Sequence, residues 1–140
     1  MNSQDIIEEL KVVYGMELET VQNYMAASVN LDGVRSDVIK KALAADIVEE
    51  LGHAQAIAKR IKTIGGTVPG SFENKRSQES LQPLEDTTDV VSVIKGVIAA
   101  EEGAMAHTTR SLSYVMVSTM SLKTWLSPFS RARRTIGASS

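Results

Sequence analysis

Cysteine is absent from this 140-residue chain. That excludes disulfide frameworks, thiolate zinc sites and cysteine nucleophiles, and it makes the cell interior the expected location. No stretch approaches the roughly 18 consecutive apolar residues of a membrane span. Met1-Asn2-Ser3-Gln4-Asp5 has no basic region followed by an apolar run, so a cytoplasmic chain with no membrane partner is expected. Large charge imbalance is missing too: 15 bases against 17 acids leave a net charge of -2, too little to mark a polyanion binder. There is no glycine-rich phosphate loop, no nucleophile arrangement, no internal repeat and no strand-like alternation of any weight. One helical domain remains, because a chain of this length buries a single core.

Acids are also missing from one part of the chain. Residues 1–107 hold all 17 acids and 10 of the 15 bases, whereas 108–140 hold no Asp or Glu and 5 bases, with Ser or Thr at 13 of 33 positions. We therefore divide the chain into a helical bundle over 1–119 and a basic, Ser/Thr/Arg-rich segment over 120–140. The abruptness of this change is also compatible with translation in another reading frame, a hypothesis that resequencing the 3′ end of the coding DNA tests.

Helical periodicity is strong in the first part. Ile7, Leu10, Tyr14, Glu17, Val21, Tyr24 and Ser28 alternate by threes and fours, predicting a helix over 3–28 with Ser3 as its cap and Asp5 in its first turn. Asn30-Leu31-Asp32-Gly33 reads as a turn. A second helix is predicted from Asp37, capped by Ser36, to Ile64, stopped by Gly65-Gly66. Its stripe is Ile39, Leu43, Asp46, Glu50, His53, Ile57, Ile61 and Ile64. From Gly65 to Thr88 periodicity fails. A connector that long calls for a reason, and its extended reach of roughly 80 Å suffices to return along a helix of about 42 Å. The third helix is thus expected parallel to the second, opening at Thr87-Thr88-Asp89 and running through Val90, Ile94, Val97, Glu101 and Met105 to near Thr119. Leu122, Trp125 and Leu126 predict a short or irregular fourth segment before Pro128.

Each helix carries a carboxylate where its own period asks for an apolar residue: Glu17, Glu50 and Glu101. Burying an isolated carboxylate is costly unless it is paired or metal-bound. Taken singly, each fits the edge of a helix. Their heights match, however, because Glu17 lies 14 residues after Ser3 and Glu50 lies 14 before Ile64, about 21 Å from the same end of an antiparallel pair. Glu50 and His53 form Glu-x-x-His, whose two side chains share a helix face and can bind one cation. Carboxylate with imidazole suits iron, manganese or zinc. Tyr14 and Tyr24 share the stripe of Glu17 and could donate to a ligand carboxylate. His107, six positions past Glu101, faces elsewhere and is assigned to solvent or an interface.

At these motifs the chain resembles the ferritin-like superfamily, closest to bacterioferritins, over about residues 4–107. Glu17-Leu-Glu-Thr-Val-Gln-Asn-Tyr24-Met25, Asp46-Ile-Val-Glu49-Glu50-Leu51-Gly-His53-Ala54 and Ala100-Glu101-Glu102-Gly-Ala-Met105 resemble the ligand segments of that family's first three helices. The resemblance implies an all-α, antiparallel helix bundle with a long crossover between helices 2 and 3. It implies non-haem iron, with manganese or zinc as substitutes, held by Glu17, Glu50, His53 and Glu101, Glu50 bridging two irons and Glu102 standing in if the register slips. It also implies a homodimer or larger homo-oligomer, and iron storage with Fe(II) oxidation by a ferroxidase-type reaction if the di-iron centre is complete. Two departures limit this. Leu51 stands where bacterioferritins have a haem-binding methionine, so no haem is implied. The family's fourth helix supplies a second Glu-x-x-His, and 108–140 contain no Glu, Asp or His. A competing reading is a non-catalytic helical interaction module whose basic tail, Arg131, Arg133 and Arg134, contacts nucleic acid; three arginines beside an acidic core are few for such binding.

Overall fold

The computed structural model describes residues 2–115. The expected fourth segment around Leu122, Trp125 and Pro128, the tail arginines, the boundary at 119/120 and the end of the third helix near Thr119 all lie outside the described residues. The side chain of His107 does as well. Within them the chain forms three long helices, α1 (Ser3–Asn30), α2 (Asp37–Thr63) and α3 (Val90–Val115), with short 3-10 turns at Val34–Ser36 and Ser71–Glu73.

Local chemistry sets the boundaries. The cap of α1 is Asn2 rather than Ser3. Asn2 Oδ1 accepts from the Asp5 backbone N–H at 2.9 Å, and Asp5 Oδ2 accepts from the Asn2 N–H at 3.2 Å, a reciprocal capping box. Both residue types cap well, so sequence pattern alone does not separate neighbours. Ser36 occupies the expected N-cap position of α2, but its hydroxyl donates to the Gly33 carbonyl at 2.6 Å and closes the 3-10 turn rather than accepting from the helix. At the other end of α2 the glycine stop forms as expected. Gly65 takes φ +94, and the Gly65 and Gly66 N–H groups donate to the Lys62 and Ile61 carbonyls at 3.1 and 2.8 Å, a Schellman closure that satisfies the last carbonyls of the helix. A Cβ on Gly66 would come within 2.9 Å of both Ile7 Cγ2 and Ile61 Cγ2. These belong to buried core residues with no room to retreat. We expect Gly66→Ala to cost about 1–3 kcal/mol by overpacking, read from urea denaturation, and an unchanged midpoint would show that this junction yields freely.

Packing is organised in two apolar clusters. In the first, Ile7, Leu10 and Val13 of α1 meet Ile57 and Ile61 of α2, with Met105 of α3 against them. In the second, Tyr24 and Leu31 meet Ile39 and Leu43 of α2 and Val93, Val97 and Ala100 of α3. The start of α1 therefore lies beside the end of α2, so these helices are antiparallel, and α3 runs with α2 and against α1. The long crossover is thereby confirmed. It climbs α1: Val68 packs on the first cluster, Ser77 and Gln78 bond to α1 at Glu19, and Leu81 enters the second cluster. At the top, the Asp32 N–H donates to the Thr87 carbonyl at 2.9 Å. Leu81 has φ 66, a left-handed geometry that costs roughly 1–2 kcal/mol for such a residue. Close packing on the bare backbone of Gly96, where a Cβ would meet the Leu81 nitrogen at 3.1 Å, accompanies that turn.

A candidate metal centre between two apolar clusters

The two clusters leave a polar layer between them. Glu17 projects from α1 three residues past the first cluster's Tyr14, and α2 supplies Glu50 and His53 one turn apart on its buried stripe. All three are withdrawn from solvent, with 1%, 4% and 7% of their surface exposed. His53 Nδ1 lies 3.5 Å from Glu17 Oε2 and 3.5 Å from Glu50 Oε2. One ligand atom from each of the three lies within 4.8 Å of the others. Neither oxygen of Glu17 accepts a hydrogen bond of good geometry among the described residues; the His53 imidazole at 3.5 Å is the group that faces this buried carboxylate. This donor set, two carboxylates and an imidazole converging from two helices, fits a divalent cation of the iron, manganese or zinc kind.

Glu101 of α3, 8% exposed, joins the same layer from the far side but stands outside the group of three. One of its oxygens accepts from the Tyr24 hydroxyl at 3.0 Å, and Tyr24 is completely buried. Its neighbour Glu102 is exposed, so the register of α3 is the one that puts Glu101 inward. Asp46, one turn before Glu50, is also buried, and its Oδ2 has no hydrogen-bond partner among the described residues. Tyr14, the other phenol on the stripe of α1, packs against the first cluster. Leu51 is largely exposed on the outer side of α2.

Electrostatics in the layer favour protons when no cation is present. Burial disfavours the imidazolium of His53, yet the carboxylates of Glu17 and Glu50 outweigh it and push the pKa up to about 10. Burial raises Glu50 to about 8, with Glu17 adding to the rise and His53 opposing it. Asp46 rises to about 7 through burial and the charges of Glu49 and Glu50. Glu101 reaches about 7 through burial and Glu50, against the hydrogen bond from Tyr24. The Tyr24 phenol, pushed far up by burial and then by Glu101, stays protonated and remains a donor.

Two features of this region carry no signal in the sequence. Thr20, buried between Glu17 and Tyr24, receives a hydrogen bond from Gln78 of the crossover, 58 residues later. Glu19, which lies off the stripe, accepts from the Ser77 N–H at 2.9 Å and the Gln78 N–H at 2.7 Å; substituting it would loosen the crossover. Glu102 is therefore the proper surface control for mutagenesis of the layer.

A family model for the ferritin-like domain matches residues 7–115, which takes in α2, α3 and all but the first four residues of α1, and extends eight residues past the segment whose motifs carry the resemblance. The searches of curated proteins and of solved structures find no match.

Proposed function

The chain belongs to the ferritin-like domain family, and from that premise we propose that it binds Fe(II), with Glu17, Glu50 and His53 holding the ion and Glu101 facing a second, adjoining position. The observation that carries this reading is the convergence of three buried ligand-type side chains within 4.8 Å, one of them a carboxylate whose oxygens accept no hydrogen bond of good geometry among the described residues. A divalent cation offsets the charge that burial otherwise forces the layer to neutralise with protons. Iron here is cargo and substrate: Fe(II) is the reductant and dioxygen the oxidant of a storage or detoxification step, to whatever extent a second ion is held beside the first. The protein's part is to orient its carboxylates, keep the layer between two apolar clusters, and keep the Tyr24 hydroxyl donating to Glu101. Exposed apolar residues on the outer faces of α1 (Val12, Met25, Val29) and α2 (Val38, Val48, Leu51) support a homo-oligomer built on a dimer. Among the described residues no helix is long and apolar enough to cross a membrane. Anaerobic Fe(II) titration of the metal-free chain tests the reading directly; no saturable uptake at micromolar protein would end it.

A pH dependence follows with a definite sign. Cation binding must displace the protons that His53 holds up to about 10 and Glu50 up to about 8, so affinity for Zn(II), which does not oxidise, should rise steadily from pH 6 to 8. Stability of the metal-free protein should move the other way. Carboxyls whose folded pKa is raised stabilise the fold fully below their unfolded values near 4 and lose that contribution as pH rises through about 7 for Asp46 and Glu101 and about 8 for Glu50. The Tm of the metal-free chain should therefore fall between pH 5 and 8, and Zn(II) should restore it most at the upper end. A Tm that climbs over that window in the absence of metal contradicts a protonated layer.

A further inference from the structure

We propose that Gln78, a residue of the crossover, is a positioning residue for the polar layer, fixing the turn of α1 that joins Glu17 to Tyr24. This deepens the metal reading and rests on it for one of its two readouts. Glu17 and Tyr24 are the two α1 residues of the layer, seven positions and about two turns apart on one face. Thr20 is the inward residue between them and is 4% exposed. Its hydroxyl donates to the Met16 carbonyl at 2.9 Å and accepts from Gln78 Nε2 at 3.0 Å. The other end of the same amide, Gln78 Oε1, accepts from Asn23 Nδ2 at 2.7 Å. The backbone N–H of Gln78 donates to Glu19 Oε2 at 2.7 Å, beside the bond from Ser77.

One residue thus bonds to three α1 positions, Glu19, Thr20 and Asn23, spread around slightly more than one turn. A single bond would leave α1 free to roll about its axis; three in different directions do not. Rolling matters here because Glu17 meets α2 through His53 and Tyr24 meets α3 through Glu101, so rotation of α1 disturbs both sides of the layer together. Apolar packing also confines α1, but it carries no donor–acceptor direction, whereas hydrogen bonds fail when bent or stretched. Gln78 is only half-buried, so its amide has no need of these partners for solvation and its value lies in the geometry it imposes.

The test uses Gln78→Met, which keeps the length of the side chain and removes both amide functions, in the full chain. Gln78→Glu keeps the acceptor toward Asn23 and loses the donor toward Thr20. Gln82→Ala is the control, because Gln82 bonds within the crossover, to the Gln78 carbonyl. Two signals are read: the ligand-field bands and affinity of Co(II), and the His53 imidazole resonances of the metal-free protein, assignable because the chain has 2 histidines. We expect Gln78→Met to weaken Co(II) binding about tenfold, the lower end of what outer partners of metal ligands contribute, to alter the bands at full saturation, and to move the His53 resonances. Gln78→Glu should fall between it and the parent, and Gln82→Ala should match the parent. A purely structural role would lower Tm and leave the saturated bands and the His53 resonances as in the parent; that result, or an equal effect from Gln82→Ala, overturns the proposal. If the parent takes up no Co(II), the metal reading fails by itself, and the His53 resonances still decide for or against positioning by Gln78.

Discussion

Glu50→Ala should abolish tight Fe(II) uptake, and His53→Ala should do the same, each while the far-UV circular dichroism remains that of the parent. The expected loss exceeds 100-fold, since even outer partners of metal ligands contribute about 10–100-fold and these two side chains stand in the group itself. Helicity survives for a reason visible in the layer. Glu50 is held among Glu17, Asp46 and Glu101, and its charge raises the proton affinity of the latter two, so its removal relieves repulsion even as it opens space. His53→Ala differs on this point: it deletes the one cationic group facing Glu17 and Glu50 among the described residues, and the metal-free variant should be the less stable of the two. Glu102→Ala, at an exposed position, should bind like the parent. Parent-like affinity in either Glu50→Ala or His53→Ala would falsify the site assignment.

Stoichiometry is the second large effect. A complete di-iron centre of a ferritin-like bundle uses four carboxylates and two histidines. The described layer offers Glu17, Glu50, His53 and Glu101, with Asp46 beside them, and 108–140 contain no Glu, Asp or His. We expect about one tightly held iron per chain, and dioxygen consumption per iron that is slow or absent, because fast oxidation relies on two adjacent metals. Anomalous scattering at the iron edge and an oxygen electrode measure the two quantities. Two fully occupied irons about 3.5–4 Å apart would mean that groups other than these five side chains complete the ligand set.

How far the sequence discloses this arrangement differs from helix to helix. On α2 seven of the eight stripe positions, Ile39 to Ile61, are buried, and the eighth, Ile64, is half-buried. That helix turns a single face to its neighbours, so one period describes it. On α1 the same reasoning finds Ile7, Leu10, Glu17 and Tyr24 but misses Val13, Gly15 and Thr20, while Tyr14 and Val21 are only half-buried. Here α1 packs against α2, α3 and the crossover at once, and a helix covered on several sides buries more than one stripe. In the layer, the in-helix spacing of Glu50 and His53 is local and therefore legible. The bond from Tyr24 to Glu101 joins residues 77 apart and that from Gln78 to Thr20 residues 58 apart; no periodicity encodes a pairing of that range. The cap misread at Ser3 is a failure of another kind, in which adjacent residues compete for one local role; Ser36 holds the expected cap position of α2 but turns its hydroxyl to Gly33.

The parallel placement of α2 and α3, which the long crossover makes possible, also bears on the order in which the chain folds. A turn of a few residues joins α1 to α2, so Glu17, Glu50 and His53 are brought together by a contact of short span once both helices exist. Glu101 reaches Tyr24 only after a loop of 77 residues has closed, and the entropy of closing a loop grows with its length. On loop entropy alone, Glu17, Glu50 and His53 come together in the pairing of α1 with α2, and Glu101 joins them when α3 docks, through contacts as distant in sequence as those of Met105 with the first cluster.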